Sequence, residues 1–453
     1  MTGLVSRLRL PEAVGLSLSV IAPTVTAAFN ITLVVQSAGP AAPLAFAIGM
    51  LAMALVALSF MAFTHRVAHA GSAYAYIAHT FGSRIGFIAG WTLLLTYLGF
   101  ATGFAALVGS FAGAALKGFG IDVGRWWVAI GAASMVLAWW FAYRDMRLAG
   151  RLMLVLEGIA VIAIIGLCIS ILRHVHPDAE QIAASFRPSA HFNGWAGLGF
   201  GMVFSILSFA GFEGAATLGE ETVNPRRNIP IALLGTVLGS GIFFVFVAYC
   251  EVIGFGPQGI KDLASSQAPL DYLALRYASP HLAIVLDLAA AFSCFSGVLG
   301  GLSAAARIVF ALGRAGLSAT LAGVHPVHRT PSPAVALTAI LIVVPFLVWG
   351  PITGAGNFYS YASTIGTLAL ILIYVGVGAA EMVEGWREQR AIWAGACTLG
   401  PILLLWVLYR NIYPVPEFPN NLWPYVALAW VIASWALMRL RPGVISAPLP
   451  DYL

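Results

Sequence analysis

Twelve apolar runs, each about long enough to cross a bilayer as a helix, follow one another along this chain. They lie near 13–35, 40–63, 85–115, 125–142, 150–172, 195–219, 229–253, 280–312, 333–350, 354–380, 391–409 and 421–440. A helix of about 20 apolar residues matches a hydrocarbon core of about 30 Å. Lipid offers no hydrogen bonds, so runs of this length must satisfy their backbone internally, as helices do. The runs therefore predict an all-α polytopic protein, one transmembrane domain over residues 1–453 with no separate soluble domain. Charge agrees: 9% of residues are charged, against about 25% in a soluble domain.

Arg7 and Arg9 followed by apolar sequence would suit a signal peptide. The apolar stretch, however, continues to about Val35 without a clear small-residue cleavage site, which predicts a first membrane helix. An even number of spans puts both termini on one side. With the N-terminus inside, sixteen of the 23 lysines and arginines fall in cytoplasmic segments, so both termini are expected in the cytoplasm. The alanine-rich, lysine-poor composition hints at a bacterial inner membrane. The arginines line the ends of apolar runs and form no basic aromatic groove, which argues against nucleic acid as a partner. Cys168, Cys250, Cys294 and Cys397 lie in or beside apolar runs and read as free thiols. The histidine groups fall in loops. No metal and no cofactor is expected.

Two runs are interrupted near their middles. In the first, Pro23 follows Ala22 and precedes Thr24, Val25 and Thr26; proline lacks an N–H and clashes with the preceding turn. In the sixth, Ser208, Phe209, Ala210, Gly211 and Phe212 lead to Glu213, with Gly214 beyond it. Two glycines around an acid make a poor straight helix. A proline kink or close glycine packing would explain either segment alone. Breaks in the first and sixth helices together are what a five-plus-five inverted repeat predicts, with half-helix ends pointing at a midplane site. The repeats would span about 13–172 and 195–380, with the two helices of about 391–440 outside them.

Three stretches carry a family resemblance. Phe209 to Glu213, continuing through Gly219, Glu220, Glu221, Asn224, Pro225, Arg226, Arg227 and Pro230, resembles the sixth helix and following loop of the amino acid–polyamine–organocation (APC) permeases. Arg307 to Leu317, followed by His325-Pro326 and Thr330-Pro331, is similar to that family's eighth helix and exit loop. Gly71, Tyr74 and Tyr76 resemble its segment after the second helix. The resemblance covers about 10 to 440. It implies a twelve-helix inverted-repeat (LeuT-like) fold and alternating-access transport of amino acids, amines or close relatives. Two departures stand out. Many members have glycine-rich sequence at the first break, whose N–H groups receive the substrate carboxylate; here Pro23 removes a donor. Some proton-coupled members carry a lysine in the fifth helix; this run offers Glu157 instead, so that lysine mechanism does not carry over.

Three acids are counted inside the runs: Glu157, Glu213 and Asp287. An acid at the helix centre costs about 2.5–3.5 kcal/mol, so each needs a partner, water or a proton. Glu213 is the leading coupling residue: dry surroundings favour its neutral form and a bound ammonium its charged form. A protonated carboxyl that only ties two helices together is the alternative. Glu157 is the second coupling candidate, as cation ligand or proton carrier. Asp287 reads as interfacial or structural. The substrate site is expected at Ala22 to Thr26, Tyr97 and Ser208 to Phe212, with Asn30, Ser293 and Ser296 near the same depth. Glu220, Glu221, Arg226, Arg227 and Arg307 are expected to latch or gate.

A secondary transporter of amino acids or small amines, coupled to protons or another ion or working by exchange, is the function these features favour. A carrier of organic cations or polyamines, and a sensor or channel on the same fold, remain open. A membrane enzyme would need paired carboxylates, a histidine cluster or a Ser–His arrangement at one depth, and the sequence supplies no such set. No nucleotide-binding motif appears, which argues against drive by ATP.

Overall fold

The structure, a computed structural model, describes residues 21–66, 72–144, 147–213, 224–328 and 330–440. Every regular element among them is helical. The longer helices are α1 (Ile31–Ala38), α2 (Ala42–Arg66), α3 (Ser72–Phe81), α4 (Ser83–Gly118), α5 (Trp127–Arg144), α6 (Arg147–His174), α7 (Gly194–Leu207), α8 (Pro225–Phe255), α9 (Pro280–Leu312), α10 (Ser332–Thr353), α11 (Ala355–Arg387), α12 (Ala391–Arg410) and α13 (Trp423–Leu440). Ten spans among the described residues are long and apolar enough to cross a membrane; α1 and α2 share the first, Pro23–Thr64. α7 is a shorter apolar helix. The protein is thus an all-α polytopic membrane protein. Large apolar side chains point outward where lipid would meet them, among them Ile162, Ile352 and Ile392.

Three long helices make the centre. α4, about 54 Å long at 1.5 Å per residue, packs against both α9 and α11. Small residues let the backbones approach. A Cβ on Gly99 of α4 would stand 2.6 Å from the carbonyl oxygen of Ala362 on α11. α1 and α2 are separated at Gly39, whose φ is +60° and whose missing side chain leaves room for the Phe192 ring. A second pair, α2 and α8, packs alongside.

Both interruptions read from the sequence are present. At Ala22 the backbone turns left-handed (φ 50°, ψ 66°), and helix resumes at Pro23. Proline suits that first position, where an N–H would lack a helical partner. The Pro23–Val25 turn runs into a π-helical segment, Thr26–Asn30, before α1. The sixth run, expected as helix over 195–219, is α-helical only to Leu207, where α7 ends. Ser208 to Gly211 form a turn with Gly211 at φ 102°. The remainder of that run, 214–219, lies outside the described residues.

Candidate functional site

Each break holds a carboxylate against its backbone. At the first, Glu157 of α6 accepts a 2.7 Å hydrogen bond on Oε1 from the Thr24 N–H. The hydroxyls of Ser293, on α9, and of Thr24 flank the same carboxylate. At the second, the Gly211 N–H donates to Glu213 Oε2 at 3.1 Å. Tyr374 of α11 donates its phenol to the same oxygen at 2.9 Å, and the N–H of Glu213 itself lies against its own carboxylate. Both acids are buried.

A polar node joins the two breaks. Asn30 donates through Nδ2 to Ser208 Oγ at 3.0 Å and accepts on Oδ1 from the Tyr359 hydroxyl at 2.7 Å. It therefore ties the segment after the first break to the end of α7 and to α11. Ser208 also donates to the Phe204 carbonyl.

Aromatic rings close one side of Glu213. Phe60 meets Tyr76, Phe212 and Tyr374 edge-on at 5.4–5.8 Å. Tyr76 stacks on Phe63 at 4.8 Å. Phe209 turns to Phe244 of α8 instead, at 5.3 Å. Tyr97, half-buried on α4, has its phenol near Glu213 and Tyr374.

The expected site residues therefore fall as follows. Ala22 to Thr26, Ser208, Phe209, Gly211, Phe212, Glu157 and Glu213 are buried, and Ala210 is half-buried. The two break segments are brought together through Asn30. Arg226, Arg227 and Arg307 are exposed. Glu220 and Glu221 lie outside the described residues, as does Gly71 in the segment after the second helix. Asp287 is buried (4% exposed), with Asp271 of a short loop helix near enough to act on its charge.

The count of three intramembrane acids needs correction. Glu251 of α8 and Glu381 of α11 are also buried, at 1% and 0%. Among the described residues neither Glu251 oxygen has a hydrogen-bond partner; its neighbours are the thiols of Cys250 and Cys168. Glu251 stood two residues inside the expected 229–253 run, so its position alone was enough to find it. Tyr359 and Tyr374 were also missed. The apolar run 354–380 holds three tyrosines, Tyr359, Tyr361 and Tyr374; a buried phenol needs a partner, but the sequence does not mark which of the three are buried.

Comparison with known proteins agrees with this architecture. A model of the family described as "Amino acid permease" matches residues 8–433. The branched-chain amino acid permease BcaP of Lactococcus lactis is 27% identical over 74% of this chain and 75% of its own length. The low-affinity putrescine importer PlaP of Escherichia coli is 26% identical over 67% of this chain and 66% of its own length. The crystal structure of the Eremococcus coleocola manganese transporter is similar in fold: the TM-score is 0.61 at 12% identity, over 98% of this chain and 99% of that one.

Proposed function

This chain belongs to the amino acid permease family, and on that premise we propose a secondary active transporter that carries its substrate through a site between the two helix breaks. The relatives' activities support a membrane transporter of amino acids or amines rather than an enzyme. The proposal includes twelve spans built as two inverted five-helix repeats, with both termini in the cytoplasm of a bacterial cell. The observation that carries it is the pairing of each break with a buried carboxylate, Glu157 on the Thr24 N–H and Glu213 on the Gly211 N–H. Broken helices at membrane depth are tolerated where they line a cavity or bind a solute.

Coupling is assigned to Glu213. Its carboxyl touches the break backbone and Tyr374, and Tyr97 stands close. A carboxyl that takes up and gives back a proton as the substrate enters and leaves links the two fluxes. The aromatic group of Phe60, Phe63, Tyr76, Phe212 and Tyr374 supplies a barrier that must part on one side for release.

The test is uptake into proteoliposomes under an imposed proton gradient. The wild type is expected to show saturable accumulation. Glu213→Gln is expected to lose accumulation while retaining equilibrium exchange. Accumulation by Glu213→Gln at the wild-type level would remove Glu213 from coupling, and saturable binding without any flux would point to a sensor.

A further inference from the structure

From Pro23 to Thr26, and from Phe209 to Glu213, each backbone N–H present has a partner within the protein. The start of a helix attracts anions through its unpaired N–H groups. At the first break Pro23 has no N–H, and Thr24 donates to Glu157. Val25 donates to the Ala22 carbonyl and Thr26 to that of Pro23. At the second break Phe209 and Ala210 donate to Ile206 and Leu207, Gly211 to Glu213, and Phe212 to Phe209. Glu213 turns its own N–H to its carboxylate. At the first break a protein carboxylate thus occupies the N–H that a substrate carboxylate would take.

The side chains have the complementary bias. Among the described residues five carboxylates are buried, Glu157, Glu213, Glu251, Asp287 and Glu381, and no lysine or arginine is. At Glu157 the hydroxyls of Thr24 and Ser293 are buried, 0% and 3% exposed, and flank the carboxylate, each keeping oxygen lone pairs that no described donor fills. An incoming amino acid would have to displace Glu157 from Thr24 and set one carboxylate against another in dry surroundings. An ammonium would instead meet one carboxylate and two hydroxyls with oxygen to offer.

We propose that the substrate is an organic amine cation without an α-carboxylate, its ammonium received by Glu157 with Thr24 and Ser293 at the first break. This rests on the transporter reading above and narrows it.

Matched pairs that differ only in the carboxylate test it: putrescine against ornithine, cadaverine against lysine, and isobutylamine against valine. The full chain is purified in detergent for thermal-shift titration and reconstituted for uptake. At least one amine is expected to bind and be transported, with its parent amino acid weaker by about ten-fold or more. An amino acid that binds as tightly as its amine, or tighter, overturns the inference and leaves the transporter reading standing. Saturable uptake of neither class overturns both. Glu157→Gln is expected to weaken amine binding by about ten-fold or more while valine binding stays unchanged. Unchanged amine affinity in a folded Glu157→Gln removes Glu157 from recognition. If that variant does not fold, Ser293→Ala replaces it; a loss of about three-fold or more in amine affinity alone is expected, and an unchanged affinity counts against the proposal.

Discussion

Replacing Asn30 by leucine removes a side chain that ties the first-break segment to both α7 and α11. The loss can be sized from the node. Asn30 accepts from Tyr359 at 2.7 Å and donates to Ser208 at 3.0 Å, and all three residues are 3% exposed or less. Side-chain hydrogen bonds in a helical membrane protein couple by about 0.6 kcal/mol on average and about 1.7 at most. Two average bonds give a cost of about 1.2 kcal/mol for Asn30→Leu. Leaving the Tyr359 phenol without an acceptor adds about 1–3 kcal/mol. Ser208 keeps its bond to Phe204 and adds little. Ser363 stands near the phenol and can relieve part of the cost, so the expected total is about 2–3 kcal/mol. Tyr359→Phe should cost about 1–2 kcal/mol, because it leaves Asn30 Oδ1 unpaired. The double variant removes both partners, so its cost should fall short of the sum by about 0.6–1.7 kcal/mol. Reversible unfolding in mixed micelles, followed for all four proteins, measures that coupling. A coupling below about 0.5 kcal/mol, the additivity expected of independent sites, would refute a hydrogen bond between Asn30 and Tyr359.

Gly99→Ala should destabilise by about 1–3 kcal/mol through overpacking, because its new Cβ would meet the Ala362 carbonyl at 2.6 Å, whereas Gly300→Ala, with open space around it, should leave thermal stability unchanged or slightly raised. Equal melting temperatures for these two variants would contradict the close crossing of α4 and α11. Glu251→Leu should be neutral or stabilising by about 1 kcal/mol, since both Glu251 oxygens are buried without a partner among the described residues; a loss above about 1 kcal/mol in the same melting assay would mean that the carboxyl has a partner. Pro23→Gly returns an N–H to the first break and should improve amino acid binding by about ten-fold relative to the matching amine; an unchanged ratio in the thermal-shift titration would take that position out of recognition.

The apolar runs and both breaks were legible in the sequence for local reasons. A run of about 20 apolar residues has one outcome in lipid. Pro23 cannot continue a helical ladder, and Gly211 reaches φ 102°, a conformation other residues resist. Glu157 and Glu213 were legible because a buried acid must have a reason. What each acid touches was not. The Thr24–Glu157 bond spans 133 residues of sequence, Tyr374–Glu213 spans 161 and Tyr359–Asn30 spans 329. Nothing local marks Tyr359 or Tyr374 apart from the other tyrosines, because their partners come from helix packing.

The same distinction bears on Pro23 and Glu157. Taken alone, Pro23 removes a single donor, and a carboxylate could still use the next N–H along. The sequence therefore leaves open the choice between an amino acid and an amine, with Pro23 weakening the case for an amino acid. The fold changes the balance, because the next N–H belongs to Thr24 and is already bound to Glu157. The two after it close back onto Ala22 and Pro23. The missing donor and the intruding acceptor lie in different helices but act on the same three residues. On the amine proposal, recognition at the first break is decided by an acid that arrives from α6, and the charge it would accommodate best is positive.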